Sequence, residues 1–343
     1  MISDKIQHPV TADRPGNRAR WAVPAAGVWS LGYGLAGLAW ALGGPGFPYG
    51  ESRRAAEMGA VLVGLDPRGT GLGIALLGLV GALVAVAVQV PVAARRCRPV
   101  LAGFAWSAAL TLLLVVPDGR ALLTVGELLL LHVDRIEPAA PHQLYCALGG
   151  LLWIRVATAT RSVSEARTRP GRRRERLTVW IAAALPLLYA APRLCWTLGF
   201  TAGLDPQTAA MVTSPEGRVR ELVFGVAAWV GGLLTLGLSY RWGERFPAPV
   251  PLLGNRRVPV SLAVVPAGLV SVVLIGAGFT IWRVLLAGLL GAGPDGIAVD
   301  PRNWSAWLGN LSWLPWGIAL ALATNAYRLR RRADRSAASP VPG

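Results

Sequence analysis

The feature that most constrains this chain is a series of eight apolar stretches, separated by polar or arginine-rich segments. Each is long enough, at about 20 residues or more, to form a helix that crosses the hydrocarbon core of a bilayer. Hydrophobic residues make up 53% of the chain and charged residues only 15%, unlike the composition of soluble domains. The sequence therefore predicts an all-α, polytopic helical membrane protein.

A thirteen-residue apolar segment, 121–133, is too short to cross and contains Glu127. We interpret it as a short outer interfacial helix or a re-entrant helix, with a spanning role as the remaining alternative. The eight predicted spans are 21–44, 70–93, 99–117, 140–160, 177–200, 218–240, 258–290 and 304–327.

Basic residues concentrate on alternate breaks between the predicted spans, as the positive-inside rule requires. With eight spans, 23 lysines and arginines fall on the side that holds both termini, and eight fall on the other side. If 121–133 also crossed, the seven arginines of 161–176 would face outward, or the N-terminal half would be inverted. We therefore expect both termini in the cytoplasm.

The chain also contains an internal repeat. The pattern Y-x6-W-x-L-G at 33–43 recurs at 189–199, an offset of 156 residues. The Pro-Val pair at 99–100 recurs at 259–260, and L-G-x-L-x-W at 148–153 recurs at 308–313, both at an offset of 160. Because each half has an even number of spans, the halves should share one orientation.

The predicted organisation is a cytoplasmic tail (1–20), a first four-helix half (21–161), an arginine-rich linker (162–176), a second four-helix half (177–328) and a basic cytoplasmic tail (329–343).

The segment 185–199 carries two prolines and an arginine inside a predicted span. Tyr189, Arg193 and Trp196 are four and then three residues apart, a spacing that puts them on one helix face. A charge inside a bilayer is costly unless it faces protein or trapped water. This face is therefore predicted to lie in the protein interior.

Two interpretations of Arg193 remain open. Its guanidinium group could reach the outer headgroups, or it could line an outward-facing polar cavity and bind a carboxylate or an anionic ligand. The aligned position in the first span is Gly37, so the arginine belongs to one half only. Its candidate partners near the predicted outer face are Asp118, Glu127 and Glu221. The predicted ligand-binding residues are Arg193, Tyr189, Trp196, Asp118 and Glu127.

The sequence contains no motif for a metal, a cofactor or catalysis. His132 and His142 flank two acidic residues but lack the spacing of a metal motif, and the three cysteines form no CxxC pair. The net charge of +16 lies between the apolar stretches, which excludes nucleic acid as the expected partner. Arg283, at the outer end of the seventh span, is interpreted as an ordinary interfacial charge. We predict no cofactor and no metal.

Four segments of the chain resemble a known group of proteins. They are 189–199, 241–247 (R-W-G-E-R-F-P), 254–260 (G-N-R-R-V-P-V) and 313–317 (W-L-P-W-G). In them the chain resembles a group of uncharacterised multispanning membrane proteins of high-GC actinobacteria. The likeness covers most of the second half and, more loosely, the first span. It implies a location in the bacterial plasma membrane and carries no activity.

Three functions follow as hypotheses. The first is binding or transport of a small ligand or anion through an outward-facing polar site. The alternative is a non-catalytic membrane scaffold or accessory protein that uses its basic cytoplasmic face, including Arg172–Arg174, to attract anionic lipid. The third is an enzyme acting on lipids through Asp118, Glu127 or His132, for which the sequence offers no recognisable spacing. The expected partners are the lipid bilayer and an unknown small ligand.

Overall fold

The protein is described here from a computed structural model. The described residues are 21–121, 140–159, 171–245, 256–290 and 300–337, together with 124, 127, 131 and 254. Within these ranges the chain is helical, and its one extended pairing is an isolated β-bridge between Arg245 and Arg257. The predicted all-α class is confirmed for this part of the chain.

The described ranges contain twelve α-helices. In chain order they are α1 (Ala22–Ala41), α2 (Arg53–Glu57), α3 (Pro67–Gln89), α4 (Pro91–Arg96), α5 (Arg98–Leu110), α6 (Ala140–Ala159), α7 (Arg172–Thr197), α8 (Pro206–Thr213), α9 (Pro215–Leu236), α10 (Val260–Leu289), α11 (Trp304–Leu311) and α12 (Trp313–Ala337). A π-helical turn, Thr111–Val115, continues α5, and 3-10 turns lie at Arg241–Gly243 and Pro301–Asn303.

Six helices of the described chain are long and apolar enough to cross a membrane: α1, α3, α5 with its π turn, α7, α9 and α10. The protein is therefore a helical membrane protein with several spans. The predicted count of eight also includes α6 and the pair α11–α12. These are less apolar because α6 carries His142, Gln143 and Arg155 and because α12 ends in an arginine-rich segment.

Two of the predicted boundaries differ most from the structure. Helix α7 begins at Arg172, before the predicted start at 177, because arginine is a good helix former and the helix extends into the basic segment. The predicted span 304–327 is divided at Ser312 into α11 and α12, and α12 continues to Ala337. The predicted segment 121–133 lies mostly outside the described residues.

The chain forms two compact units. The first comprises Met1–Phe47, Asp66–Leu110 and Leu148–Ala166, and the second comprises Pro48–Leu65, Thr111–Ala147 and Arg167–Gly343. The second unit thus takes in two segments from the predicted first half. Both contact α10 closely: a Cβ on Gly59 would lie 2.8 Å from Cγ2 of Thr280, and one on Gly276 would lie 3.0 Å from the carbonyl oxygen of Leu113.

In the first unit, α1 and α3 approach each other through glycines. A Cβ on Gly37 would lie 2.8 Å from the carbonyl oxygen of Gly71, and a Cβ on Gly71 would lie 2.5 Å from that of Gly37. Further along the same pair, a Cβ on Gly78 would lie 2.6 Å from Cα of Gly34. Close contact between small residues is the main source of helix association inside a bilayer.

In the second unit, α7 remains one continuous helix through Pro186 and Pro192. Each proline removes one backbone donor, and a glycine of a neighbouring helix packs beside each of these positions. A Cβ on Gly232 of α9 would lie 3.0 Å from Cγ of Pro186, and one on Gly309 of α11 would lie 3.6 Å from the carbonyl oxygen of Leu188. The carbonyl of Leu188 is the one that Pro192 leaves without its helical donor.

The contact between α1 and α3 yields a test with a control on the same helix. Gly71→Ala should lower the free energy of unfolding by about 1–3 kcal/mol, because the added methyl group overlaps the backbone of α1. Gly73 is exposed, and a Cβ there would meet no atom within 4 Å. Gly73→Ala should leave stability unchanged or raise it, since alanine is the better helix former. Unfolding in detergent micelles measures both, and an equal effect of the two changes would contradict this packing.

Candidate functional site

Arg193 lies one turn before the end of α7 and is only 13% exposed. Its Nη1 donates a hydrogen bond to Oε2 of Glu221 on α9, whose side chain is 4% exposed. Its Nη2 lies 3.4 Å from Oδ1 of Asn310 on α11. Three helices therefore supply one buried ion pair and an amide oxygen beside it.

Two aromatic rings enclose the same guanidinium group. Its Cζ lies 4.0 Å from the ring centroid of Tyr189 and 5.4 Å from that of Trp196. Tyr189 in turn packs against Trp313 of α12, with ring centroids 5.4 Å apart. Cation–π attraction strengthens when the charge is removed from water, as it is here. The structure thus brings together the three residues that their spacing puts on one face.

A second arginine reaches the same carboxylate. Nε of Arg220 lies 3.4 Å from Oε1 of Glu221, and the Arg220 side chain is 33% exposed. Two guanidinium groups therefore share one carboxylate, so these three side chains together carry one excess positive charge. Nε of Arg193 is buried and has no hydrogen-bond partner among the described residues. Chemically, this arrangement can accept an anion.

Asp118 and Glu127, the other two predicted partners, are not joined to Arg193. Asp118 is buried and is held by Arg120, whose Nε and Nη2 donate to its two carboxylate oxygens at 3.0 and 2.7 Å. Glu127 is helical and half-buried. The described hydrogen bonds of Arg193 go to Glu221 and Asn310.

Arg283 on α10 makes a different kind of contact from an ordinary interfacial charge. Its Nη2 donates to Oγ1 of Thr280 at 3.1 Å and to the carbonyl oxygens of Gly59 at 3.1 Å and Pro117 at 3.5 Å. Its Cζ also lies 5.3 Å from the ring centroid of Phe279. Its described hydrogen bonds thus fasten two connecting segments of the second unit to α10.

Two residues that contact this ion pair, Asn310 and Arg220, were not predicted from the sequence. Asn310 occupies the first variable position of the repeated pattern L-G-x-L-x-W, where the first half has Gly150. A polar residue that occurs in only one copy of a repeat is the signal that could have identified it. Arg220 was included only in the number of basic residues on the outer side, although it directly precedes the candidate partner Glu221.

No group of three or more histidine, cysteine, aspartate or glutamate side chains in the described ranges could hold a metal ion. Nε2 of His142 lies 3.4 Å from the hydroxyl group of Tyr49 and 3.4 Å from Sγ of Cys146. His132 and its acidic neighbours Asp134 and Glu137 lie outside the described residues.

Comparison with known proteins adds no name to this site. The chain matches no family model, and neither the curated proteins nor the solved structures contain a match to it.

The ion pair can be tested by comparing a single variant with a double variant. Arg193→Met leaves Glu221 buried with Arg220 as its remaining partner, so the free energy of unfolding should fall by about 3 kcal/mol. Arg193→Met combined with Glu221→Leu removes both charges and should restore most of that loss. Chemical unfolding in detergent provides the measurement.

Arg218→Met is the matched control, because Arg218 is an exposed arginine of α9, the helix that carries Glu221, and its Nε donates to the carbonyl oxygen of Thr213. It should change stability by no more than about 0.5 kcal/mol. If the double variant is less stable than Arg193→Met, the loss in Arg193→Met does not come from an incompletely paired Glu221 carboxylate.

Proposed function

We propose that this chain is a multi-pass plasma-membrane protein that binds a small anionic ligand at the arginine cluster of its second unit. The arginine cluster is defined as Arg193, Arg220, Glu221 and Asn310. The observation that carries the proposal is that two guanidinium groups share one buried carboxylate. An anion at Arg220 and Arg193 would neutralise the excess charge inside an otherwise apolar bundle.

The chemistry of the cluster favours an oxyanion over a halide. A guanidinium group presents several N–H donors in one plane and matches the paired oxygens of a carboxylate or a phosphate. Asn310 adds an amide group whose NH2 could donate to a further oxygen. Arg220, which is one-third exposed, supplies the contact with incoming ligand.

The tandem repeat is part of this proposal, and the buried faces of α1 and α7 support it. At the offset of 156 residues, the buried positions of one helix largely coincide with those of the other. The corresponding buried pairs are Val23 and Val179, Ala26 and Ala182, Gly27 and Ala183, Ser30 and Pro186, and Gly34 and Ala190.

The two copies differ in charge at one position of this shared face. In α1 the position is Gly37, which packs against the backbone of Gly71. In α7 it is Arg193, which is paired with Glu221. One copy therefore closes the contact between its first two long helices by packing, and the other fills that contact with charge. This contrast supports a ligand-binding role for the second copy.

The proposed topology has eight spans, with α6 as the fourth and α11–α12 as the eighth, and with both termini in the cytoplasm. The distribution of lysine and arginine supports this orientation. In it, the end of α7 that carries Arg193 faces outward. Transport of the bound anion would be the physiological outcome of such a site.

Ligand binding is tested by thermal unfolding of the purified protein with acetate, phosphate, sulfate or chloride. At least one oxyanion should raise the Tm, since a ligand at 100 times its Kd stabilises by about 2.7 kcal/mol. Arg220→Gln should lose this response, because it removes the excess charge and leaves the Arg193–Glu221 pair in place. Arg218→Gln should retain it.

Two outcomes would overturn the binding proposal: no oxyanion stabilises the wild type, or Arg220→Gln responds as the wild type does. The anion that gives the largest shift is then used in proteoliposomes. Uptake that is faster than in empty liposomes, and that Arg220→Gln abolishes, supports transport. Binding without uptake restricts the function to ligand recognition.

The topology is tested with a membrane-impermeant maleimide. Cys97 is exposed in the break at 95–98, so in a variant lacking Cys146 and Cys195 it should react only after the cells are permeabilised. Arg302, whose side chain is 77% exposed, lies in the predicted outer break before α11. Arg302→Cys in a cysteine-free background should react in intact cells. Reaction of both sites from the same side would contradict the eight-span topology.

A further inference from the structure

The second unit contains an apolar cavity of about 410 Å³ between α9, α10 and α12. Leu238, Pro266 and Leu320 contribute to its lining. Leu234 and Leu262, which also line it, are 62% and 55% exposed, so the cavity opens on the surface of the helix bundle. Its volume is within the range of sites that hold small molecules.

A charged cavity of about 330 Å³ lies directly beside it, and Val258 lines both. Three arginines line the charged cavity: Arg245, Arg257 and Arg331. Its acidic residues are Glu244, which accepts a hydrogen bond from Arg330 at 3.3 Å, and the exposed Asp334. An apolar volume therefore adjoins a volume with more positive than negative side chains.

The β-bridge sets Arg245 and Arg257 opposite each other, and the N–H of Val258 donates to the carbonyl oxygen of Glu244 at 2.9 Å. Like charges directly opposite each other across a bridge are destabilising. Both arginines are exposed, and their side chains have no hydrogen bond or ion pair within the described chain. A bound anion would remove this repulsion.

Arg331 of α12 fixes the bridge in place. Its Nη2 donates to the carbonyl oxygen of Val258 at 2.8 Å, and its Nη1 donates to that of Glu244 at 3.3 Å. These partners are neutral backbone oxygens, so the positive charge of Arg331 stays available to an anion in the cavity. The bridge is thus held by α12 in an orientation that presents all three arginines to one cavity.

We propose that the two adjoining cavities bind one anionic phospholipid. Its phosphate group lies between Arg245 and Arg257, where guanidinium groups can bind phosphate oxygens in pairs. One acyl chain fills the apolar cavity, and its mouth between Leu234 and Leu262 gives the chain direct entry from the bilayer. The apolar cavity beside the arginines is what distinguishes a lipid from free phosphate. This site is separate from the arginine cluster around Arg193.

Lipid binding can be measured by native mass spectrometry of the full-length protein in detergent, titrated with phosphatidylglycerol or phosphatidylcholine. The wild type should bind phosphatidylglycerol at least tenfold more tightly. The double variant Arg245→Gln/Arg257→Gln should lose this preference. Because it also removes the repulsion across the bridge, its Tm without added lipid should equal or exceed that of the wild type. Arg256→Gln, an exposed neighbour of Arg257, should retain the preference.

Gly231→Leu tests the apolar half of the site. Gly231 lines the apolar cavity, and a Cβ there would make only an ordinary contact at 3.9 Å with Trp316. The larger leucine should occupy the space of the acyl chain and weaken binding of phosphatidylglycerol at least tenfold. Inorganic phosphate at millimolar concentration should not cause a Tm increase that depends on Arg245 and Arg257.

Any of four results of the lipid measurements overturns the proposal. They are equal binding of the two lipids by the wild type, a retained preference in Arg245→Gln/Arg257→Gln, an equal loss in Arg256→Gln, or unchanged lipid binding in Gly231→Leu. A Tm increase by inorganic phosphate that Arg245→Gln/Arg257→Gln abolishes would show that these arginines bind free phosphate. This result would also overturn the lipid proposal.

Discussion

The fold depends on helices that approach one another through small residues. Lipid tails are as apolar as leucine, so burying a leucine between helices gains little within a bilayer. Helix α3 follows this constraint fully: its buried residues are all glycine or alanine, whereas Leu72, Leu76 and Leu83 are exposed. The arrangement reverses that of a soluble helix, in which large apolar side chains face the core. Stability then comes from the closeness of backbones, as at Gly37 and Gly71.

Within such a bundle a buried arginine requires several kinds of support, and Arg193 has them. Glu221 neutralises its charge, Asn310 offers an amide oxygen, and the rings of Tyr189 and Trp196 lie beside the delocalised cation. The pair must also be accommodated by three helices at once. Stability alone does not account for this arrangement, since an apolar pair of similar volume often stabilises a fold at least as well as a buried ion pair.

The sequence predicted the features that depend on length and local spacing. Apolar runs of sufficient length identified the membrane helices, and helical periodicity put Tyr189, Arg193 and Trp196 on one face. It could not select Glu221 from the three acidic candidates, because that choice depends on how α7 and α9 are rotated against each other. The division at Ser312 does have a local signal, which the prediction missed: Pro315 lies in the first turn of α12 and cannot donate a hydrogen bond to the carbonyl of Leu311.

The bridge between Arg245 and Arg257 illustrates the same limit. Nothing in the local pattern indicates that these two arginines oppose each other, and like charges are ordinarily kept apart. Their pairing depends on Arg331, which is far along the chain on α12 and binds the backbone on both sides of the bridge. Contacts of this kind become visible only when the helices are assembled.

The hydrogen bonds of Arg283 have a consequence for the order in which the protein is built. They join α10 to the carbonyl groups of Gly59 and Pro117, which precede Arg283 by 224 and 166 residues. During synthesis the connecting segments around Gly59 and Pro117 leave the ribosome long before α10 does. Helices α1 and α3 can pair as soon as α3 is inserted, whereas the second unit must wait for α10 before its early segments acquire their partners. Assembly of the second unit is therefore late and non-local, and it depends on synthesis reaching the last quarter of the chain.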